Sequence, residues 1–102
     1  MSQAVAGSFA STGVAALGQI SPELVIPSST VTARLTTVGL DASNTVKTQK
    51  TTNNGASWVD QTTYNADQTN LGITVAHGEQ WRLVLVAQQA FKTILYKLSA
   101  ES

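Results

Sequence analysis

His77 is the single histidine of the chain, and histidine is the side chain best suited to act as a general base near neutral pH. A general base needs a nucleophile or a substrate proton within reach, and usually a third group that orients it. The residues around His77 provide neither, whereas the adjacent Gly78 favours a change of chain direction. We therefore expect His77 to be a turn residue.

The carboxylates are the second set of side chains that could do chemistry. They are Glu23, Asp41, Asp60, Asp67, Glu79 and Glu101. Glycoside hydrolysis needs two carboxylates that flank one bond, and nothing in the sequence marks such a pair. The Asp-x-Asx-x-Asx-Gly spacing of a calcium loop is also absent. We expect these side chains to be solvated carboxylates of loops.

Motifs for other kinds of catalysis are missing as well. The chain has no cysteine, which excludes disulfides and cysteine-based metal sites. No glycine-rich loop leads into a helix that would hold a phosphate, and the Gly-x-Ser-x-Gly elbow does not occur. The sequence thus predicts a protein that is not an enzyme, with no catalytic residue, no cofactor and no metal ligand.

The charge distribution argues against nucleic acid and membrane as partners. Six basic and six acidic residues cancel, and charged residues are only 12% of the chain, so Thr, Ser, Asn and Gln must form much of the surface. A nucleic-acid-binding protein normally carries a basic patch. Here the basic residues lie in separate segments, as Arg34, Lys47, Lys50, Arg82, Lys92 and Lys97. No apolar run approaches the roughly 20 residues of a membrane-spanning helix.

A neutral polar surface suits contact with other proteins, because hydroxyl and amide groups cost less to desolvate than charges do. It is equally typical of an ordinary soluble β domain. The first residues lack the basic start and the apolar run of a secretory signal. Together with the absence of cysteine, this favours synthesis in a reducing cytoplasm.

Alternation of apolar and polar residues predicts short β-strands. In residues 30–38, Val31, Ala33 and Leu35 share one face and polar residues share the other. Similar alternation predicts strands at 45–51, 57–64, 71–75, 79–87 and 91–98. Turn residues separate these segments and none has helical periodicity. The sequence therefore predicts an all-β fold, an antiparallel β-sandwich (jelly-roll or Ig-like) of about 7–8 short strands.

The N-terminal part of the chain has a weaker pattern. Residues 1–13 are small and uncommitted, so we expect a flexible N-terminal arm, followed by a single β-sandwich domain over 14–102. The stretch 8–20 is rich in Ala, Gly and Ser and fits either a strand or an extended lead-in. Turns are expected at 21–23 and 27–29, where Pro22 and Pro27 lie.

The predicted strand 79–87 is apolar on both faces. Trp81 and Leu83 lie on one face, whereas Val84 and Val86 lie on the other. This pattern predicts a central strand whose second face is covered by a loop, by residues 8–26 or by another subunit. Because so short a chain buries a modest core and closed symmetry is the usual way to bury such a patch, we expect a homo-oligomer.

The predicted core combines the inward positions of all these strands. It comprises Val31, Ala33, Leu35, Val46, Trp58, Leu71, Ile73, Trp81, Leu83, Leu85, Ile94, Tyr96 and Leu98.

Residues 51–58 read Thr-Thr-Asn-Asn-Gly-Ala-Ser-Trp, and Asn-Gly is the strongest short-range signal for a hairpin. The segment resembles an Asp-box, Ser-x-Asp-x-Gly-x-Thr-Trp, with conservative replacements. We expect Asn53 to cap the turn, Gly55 to supply a positive φ and Trp58 to fold into the core. Asp-boxes of sialidases lie away from catalysis, so the motif predicts a hairpin rather than sugar cleavage.

A longer resemblance includes this hairpin. Residues 45–50 and 57–59, with the turn between them, resemble the pattern Val-x-Leu-Gln-Arg-Ser-x-Asp-Gly-Gly-x-Thr-Trp, although Thr48 stands where the pattern has an apolar residue. Residues 78–85 are similar to a Gly-x-x-Tyr-Arg-Leu strand, and 94–99 to a terminal Tyr-Arg-Leu-Ser strand. These features resemble small β-sandwich structural proteins of tailed-phage virions, which include capsid decoration or cement proteins and fibre-associated proteins.

The resemblance spans residues 30–99 and implies a non-enzymatic structural protein of the virion, made in the host cytoplasm. It implies binding to the outside of a phage capsid as a decoration or cement subunit, with the major capsid protein or another virion protein as partner. It also implies a trimer, since the threefold points of such shells often receive proteins of this kind.

The alternative is a carbohydrate- or receptor-binding β-sandwich module of a phage fibre or adhesin. Such sites usually need exposed aromatic rings. With Trp58, Trp81 and Tyr96 assigned to the core, Tyr64 and Phe91 are the candidates for that role.

Overall fold

The computed structural model describes residues 2–10, 18–26, 32–89 and 91–101. This part of the chain forms eight β-strands and no helix. The strands are β1 (Ser2–Ala10), β2 (Leu24–Val25), β3 (Thr32–Val38), β4 (Thr45–Thr51), β5 (Val59–Tyr64), β6 (Leu71–Thr74), β7 (Gln80–Ala87) and β8 (Thr93–Glu101).

The strands build two four-stranded sheets with antiparallel pairing throughout. Sheet A has the order β1-β8-β3-β6, and sheet B has the order β2-β7-β4-β5. The pairs β1·β8, β2·β7, β3·β6 and β4·β5 describe one long hairpin rolled into two layers, which is a jelly roll. The predicted all-β sandwich is confirmed, and the strand order is that of its jelly-roll alternative.

The hydrophobic core lies between the two sheets. Its buried members are Phe9, Leu24, Ile26, Ala33, Leu35, Leu40, Val46, Val75, Trp81, Leu83, Leu85, Ile94, Tyr96, Leu98 and Ala100. The core positions predicted on β3, β4, β7 and β8 are confirmed because the period-two pattern sets which face of a strand is buried. Leu71 and Ile73 on the edge strand β6 are only half-buried. Val31 lies outside the described residues.

The predicted flexible arm is wrong for residues 2–10, which form β1 and pair with β8 over nine residues. Phe9 anchors this strand because its ring is buried and lies 4.9 Å from the ring of Tyr96. Gly7 leaves room for the Tyr96 hydroxyl, which would lie 2.8 Å from a Cβ at that position. The sandwich therefore begins at residue 2 rather than residue 14, while residues 11–13 lie outside the described part.

The turn expected at 21–23 is also wrong, because this segment runs extended along the edge of β7. Ile20 forms a bridge with Val84, and Leu24 pairs with Trp81. Between these two points Ser21 binds β7 through both its backbone and its side chain. Its amide donates to the Leu83 carbonyl at 2.9 Å, and its hydroxyl accepts a hydrogen bond from the Leu83 amide at 2.8 Å. The other expected turn, at 27–29, lies outside the described residues.

The strand predicted at 79–87 is β7, and it is central in sheet B as expected, between β2 and β4. Its inner residues Trp81, Leu83 and Leu85 are buried. On its outer side Val84 is half-buried and Val86 is exposed, so that face is incompletely covered within the described chain.

Candidate functional site

The outer face of sheet A is defined by the side chains that point away from the core on its four strands. Strand registers and burial assign these positions to Ala4, Ala6, Ser8, Ala10, Thr32, Arg34, Thr36, Val38, Gly72, Thr74, Thr93, Leu95, Lys97 and Ser99. The face carries small and hydroxyl side chains, two cations and the exposed apolar pair Val38 and Leu95. Among its described side chains there is no carboxylate. The described side chains of this face thus carry two positive charges, while Glu101 follows two positions after Ser99 on β8 and its side chain lies outside the described part.

A groove of about 520 Å³ opens on this face at the boundary of β3, β8 and β6. We call it the Arg34 groove, and it is lined by Thr32, Arg34, Asn70, Lys97 and Ser99. Each of these side chains carries a hydrogen-bond donor, and two of them carry a positive charge.

Arg34 lies across the backbone of β6, where Gly72 is its direct partner in the register. A Cβ at position 72 would lie 3.0 Å from the Nη1 atom of Arg34, so the glycine leaves the space that the guanidinium uses. Nη1 also donates to the backbone oxygen of Asn70 at 3.4 Å. These contacts hold one side of the guanidinium against the sheet.

Asn70 has the left-handed φ of 49°, which asparagine tolerates better than most residues. Its amide donates to the Thr36 hydroxyl at 3.1 Å. The loop before it is fixed to β3 in the same manner, because the Gln68 amide donates to the Thr37 hydroxyl at 2.9 Å. The carbonyl that receives Arg34 is thus held by hydrogen bonds to β3.

Lys97 lies on β8, where Thr36 is its partner in the register and Ser99 faces Arg34. Arg34 and Lys97 are therefore diagonal neighbours, a relation that brings Cβ atoms to roughly 7–8 Å. Neither cation forms an ion pair with a described carboxylate. Two like charges are thus placed side by side on an exposed surface.

The outer face of sheet B uses its charges differently. Asp60 accepts hydrogen bonds from Lys47 Nζ at 3.0 Å and Gln49 Nε2 at 2.7 Å. Gln49 Oε1 in turn accepts from Arg82 Nε at 2.8 Å, and the Arg82 guanidinium lies 4.1 Å from the centroid of the Trp58 ring. We call this chain of contacts across β5, β4 and β7 the polar ladder. Its hydrogen bonds from Gln49 and Lys47 lower the pKa of Asp60 below its ordinary value.

A second ion pair closes one end of sheet B. Lys50 Nζ lies 3.0 Å from Glu79 Oε2, while Glu79 Oε1 accepts from the Ala76 amide at 2.8 Å and from Trp81 Nε1 at 3.2 Å. Burial alone would raise the pKa of Glu79, but the hydrogen bonds from Lys50, Ala76 and Trp81 and the Lys50 charge hold it below the ordinary value.

The structure confirms the position expected for His77 but not the positions expected for all of the carboxylates. His77 lies in a turn next to Gly78, whose φ is 90°, as expected. The expectation of solvated loop carboxylates is wrong for Glu79, which is buried and paired. For Asp60 only the loop position is wrong, because this residue lies on β5 in the polar ladder while its side chain is exposed. The side chain of Glu101 lies outside the described part.

Glu23, Asp41 and Asp67 are exposed. Two of these carboxylates fix local backbone: Asp67 Oδ1 accepts from the Leu40 amide at 2.7 Å, and Asp41 Oδ1 accepts from the Ser43 amide at 2.8 Å. Within the described residues no group of three or more His, Cys, Asp or Glu side chains is placed to hold a metal ion. The same part of the chain contains no helix long and apolar enough to cross a membrane.

The hairpin at 51–58 forms with the expected cap. Asn53 Oδ1 accepts from the Ser57 amide at 3.0 Å, and Gly55 has a φ of 89°. The Thr51 hydroxyl donates to the same oxygen at 2.6 Å and accepts from the Gly55 amide at 3.1 Å. The core position predicted for Trp58 is wrong, because its ring is half-buried and stacks with Arg82 in the polar ladder.

The Arg34 groove was not predicted from the sequence. Alternation along β3 and β8 indicates that Arg34 and Lys97 point outward, but no local signal shows that their strands are neighbours, because the two residues are 63 positions apart. Gly72 is the one clue, because an isolated glycine in a strand indicates close approach of another group. Comparison with protein-family models, curated proteins and solved structures gives no match.

Proposed function

We propose that this chain is a non-enzymatic structural protein that binds the surface of a large protein assembly through the outer face of sheet A. The observation that carries the proposal is the composition of that face: small and hydroxyl side chains with two cations and no described carboxylate. Small neutral side chains allow close approach of a partner and cost little to desolvate. The two cations make the face complementary to an acidic surface.

The assembly that we propose is a phage virion, with the chain on the outside of the capsid as a decoration or cement subunit. The resemblance over residues 30–99 supports this assignment. The jelly-roll topology agrees with it, since capsid proteins use that architecture, although lectin domains use it too. The proposed partner is the major capsid protein or another virion protein, without nucleic acid or membrane, and the proposed location is the virion.

We propose further that the chain acts as a homo-oligomer, a trimer in the arrangement that the resemblance implies. The incompletely covered side of β7 supports self-association, because Ile20 and Val86 are 53% and 38% exposed and flank the half-buried Val84. A trimer would engage three equivalent capsid sites at once, and linked weak contacts gain strength by effective concentration. Light scattering on the purified chain tests this step, and a stable monomer that also fails to bind any shell would contradict it.

Particle composition tests the proposed function. Phage particles are produced in cells that carry the gene, purified on a density gradient and washed, and the copy number of the chain is measured against the major capsid protein by mass spectrometry. We expect a fixed ratio set by the shell symmetry. Absence from washed particles, together with a gene placed among metabolic genes, would reject the proposal.

A carbohydrate- or receptor-binding module of a fibre or adhesin is the second candidate. Phe91 supports this candidate, because it is 78% exposed in the turn before β8, where its φ is 59°. Tyr64, the other ring considered for this role, is half-buried. A glycan array separates the candidates: binding that is lost in Phe91→Ala would favour the sugar module over the capsid subunit.

A further inference from the structure

Arg34 and Lys97 stand out because this chain carries few charges and pairs many of them. The three cations of sheet B each contact an acceptor or an aromatic ring within 6 Å. In sheet A, Arg34 donates a 3.4 Å hydrogen bond to a backbone oxygen, and neither Arg34 nor Lys97 forms an ion pair with a described residue. Diagonal neighbours in a sheet are within reach of long side chains, so the two positive charges lie close enough to act on one ligand.

Contacts with strand β6 and the loop before it fix the orientation of the Arg34 guanidinium in the groove. Gly72 gives the guanidinium its space, and the Asn70 carbonyl holds one of its edges. A guanidinium offers five donors in a planar fork, so the remaining donors stay available to a planar oxyanion. Because the fork is already oriented, less conformational entropy is lost when a ligand binds.

The groove also supplies the other donors that an oxyanion needs. Ser99 is the partner of Arg34 in the register, and Lys97 is its diagonal neighbour on the same strand. Thr32 adds a hydroxyl on the opposite side of the arginine along β3. We propose that the Arg34 groove binds one carboxylate, presented by an aspartate or glutamate side chain of the partner protein. This inference rests on the proposed function and adds the chemistry by which the partner is recognised.

The surroundings of the groove favour a protein over an acidic sugar as the source of the carboxylate. Val38 and Leu95 are direct partners in the β3·β8 register and are 54% and 51% exposed. They lie one outward position beyond Lys97, so an apolar pair adjoins the cations. Sugars usually stack on aromatic rings, and the described outer face of sheet A has none. Apolar contact beside a charge pair is typical of protein interfaces.

The test uses the purified full chain and sodium acetate as the carboxylate probe. Acetate replaces chloride at constant ionic strength and near-neutral pH, and NMR follows the backbone amides and the Arg34 Nε–H. We expect saturable shifts at Arg34 and Ser99 that decrease by about fivefold or more in the R34Q/K97Q double variant, because the charge-assisted bonds are lost. The control variant K47Q removes one positive charge from sheet B and should keep the wild-type shifts.

Two further variants sharpen the test. Gly72→Ala should weaken acetate binding, because the new methyl group displaces the Arg34 guanidinium. The unfolding midpoint should not fall, because position 72 is an exposed strand position that tolerates alanine. Glu101→Gln removes the carboxylate at the end of β8, the strand that carries Lys97. We expect acetate binding to persist in it.

Each outcome either supports or overturns the inference. Absence of saturable shifts in the wild-type groove, or shifts that persist in R34Q/K97Q, would overturn it. N-acetylneuraminate that binds about tenfold more tightly than acetate, a difference of 1.4 kcal/mol, would assign the groove to an acidic sugar instead. Because the probe needs no capsid, acetate binding by a chain absent from particles would reject the proposed function while the carboxylate site stands. Particle binding that is unchanged in R34Q/K97Q would reject this inference alone.

Discussion

The two sheets of the sandwich use their positive charges in opposite ways. On sheet B, Lys47 contacts Asp60, Lys50 contacts Glu79, and Arg82 bonds to Gln49. On sheet A, the guanidinium and the ammonium of the Arg34 groove have no carboxylate partner among the described residues. Both sheets have four strands and belong to one core, so the difference does not come from the architecture.

The cations of sheet B stabilise the fold, whereas those of the Arg34 groove remain available to a partner protein. A cation whose donors are satisfied inside the chain has few donors left for a partner, whereas the Arg34 guanidinium, with one described bond from Nη1, keeps most of its five donors. Sheet B should therefore tolerate charge changes poorly in stability, and sheet A should tolerate them well. Binding to the partner should instead be sensitive to charge changes on sheet A and insensitive to those on sheet B.

The largest expected effect is at Glu79, the buried carboxylate of sheet B. Glu79→Gln should lower the free energy of unfolding by about 2 kcal/mol, because the bonds from Lys50, the Ala76 amide and Trp81 involve a charged acceptor. Urea denaturation near neutral pH measures the loss. Glu23→Gln is the matched control, since Glu23 is exposed, and it should change stability by less than about 0.5 kcal/mol.

The effect of Glu79 should also depend on pH. Its pKa is lowered in the folded chain from the ordinary value of 4.5, so the ionised form stabilises the fold. That contribution is complete above the unfolded-state pKa and is lost as the pH falls through the folded-state pKa. The stability difference between wild type and Glu79→Gln should therefore be constant near neutrality and shrink below pH 4.5. A difference that grows on acidification would show that the carboxylate is not stabilising.

A smaller effect is expected at Arg82 in the polar ladder. Arg82→Gln should cost about 1 kcal/mol of stability, because it removes the stack on Trp58 and the bond to Gln49. Arg82→Lys keeps the charge but not the planar fork, so it should recover only part of the loss. Trp58 fluorescence reports the changed ring environment in the same experiment. Full recovery by lysine would reduce the role of Arg82 to charge alone.

The smallest effect on stability is expected in the Arg34 groove. The R34Q/K97Q double variant should change the free energy of unfolding by less than about 0.5 kcal/mol, because both side chains are exposed and neither forms an ion pair with a described residue. A clear rise in stability in low salt would show that the two charges repel each other, which would strengthen the comparison. A loss as large as that of Arg82→Gln would contradict it, since the groove would then be structural.

Local pattern was sufficient to predict most of sheet B and the centre of sheet A. The strands with clear alternation, such as the one containing Ala33 and Leu35, lie where the pattern places them. The Asn-Gly turn forms with the predicted cap at Asn53. Trp58 was misplaced because the Asp-box-like hairpin was expected to fold this ring into the core, whereas the arginine that stacks on it belongs to a distant strand.

The first strand was missed for a different physical reason. Its inward positions are Val5, Gly7 and Phe9, and glycine and alanine are poor strand residues by intrinsic preference. The strand depends on the aromatic contact between Phe9 and Tyr96 and on the space that Gly7 leaves for that ring. Such a tertiary contact overrides local propensity and has no local signature.

The ion pair of Glu79 and the Arg34 groove could not be predicted from the sequence either, because both depend on tertiary contacts between distant strands. Glu79 follows a glycine turn and has the local pattern of a solvated residue, but β4 brings Lys50 to it. The Arg34 groove needs β3, β6 and β8 together. Strand order in a jelly roll is set by long-range pairing, so the sequence indicates which side chains face outward but not which of them meet.

Footprinting of the particle-bound chain tests most directly whether the outer face of sheet A contacts the assembly. Hydroxyl radicals oxidise exposed aliphatic side chains, and both sheets offer such probes: Val38 and Leu95 on sheet A, and Val59 on sheet B, all more than 50% exposed. We expect oxidation of Val38 and Leu95 to fall on binding while that of Val59 is unchanged. Protection of Val59 with Val38 and Leu95 still reactive would contradict the account.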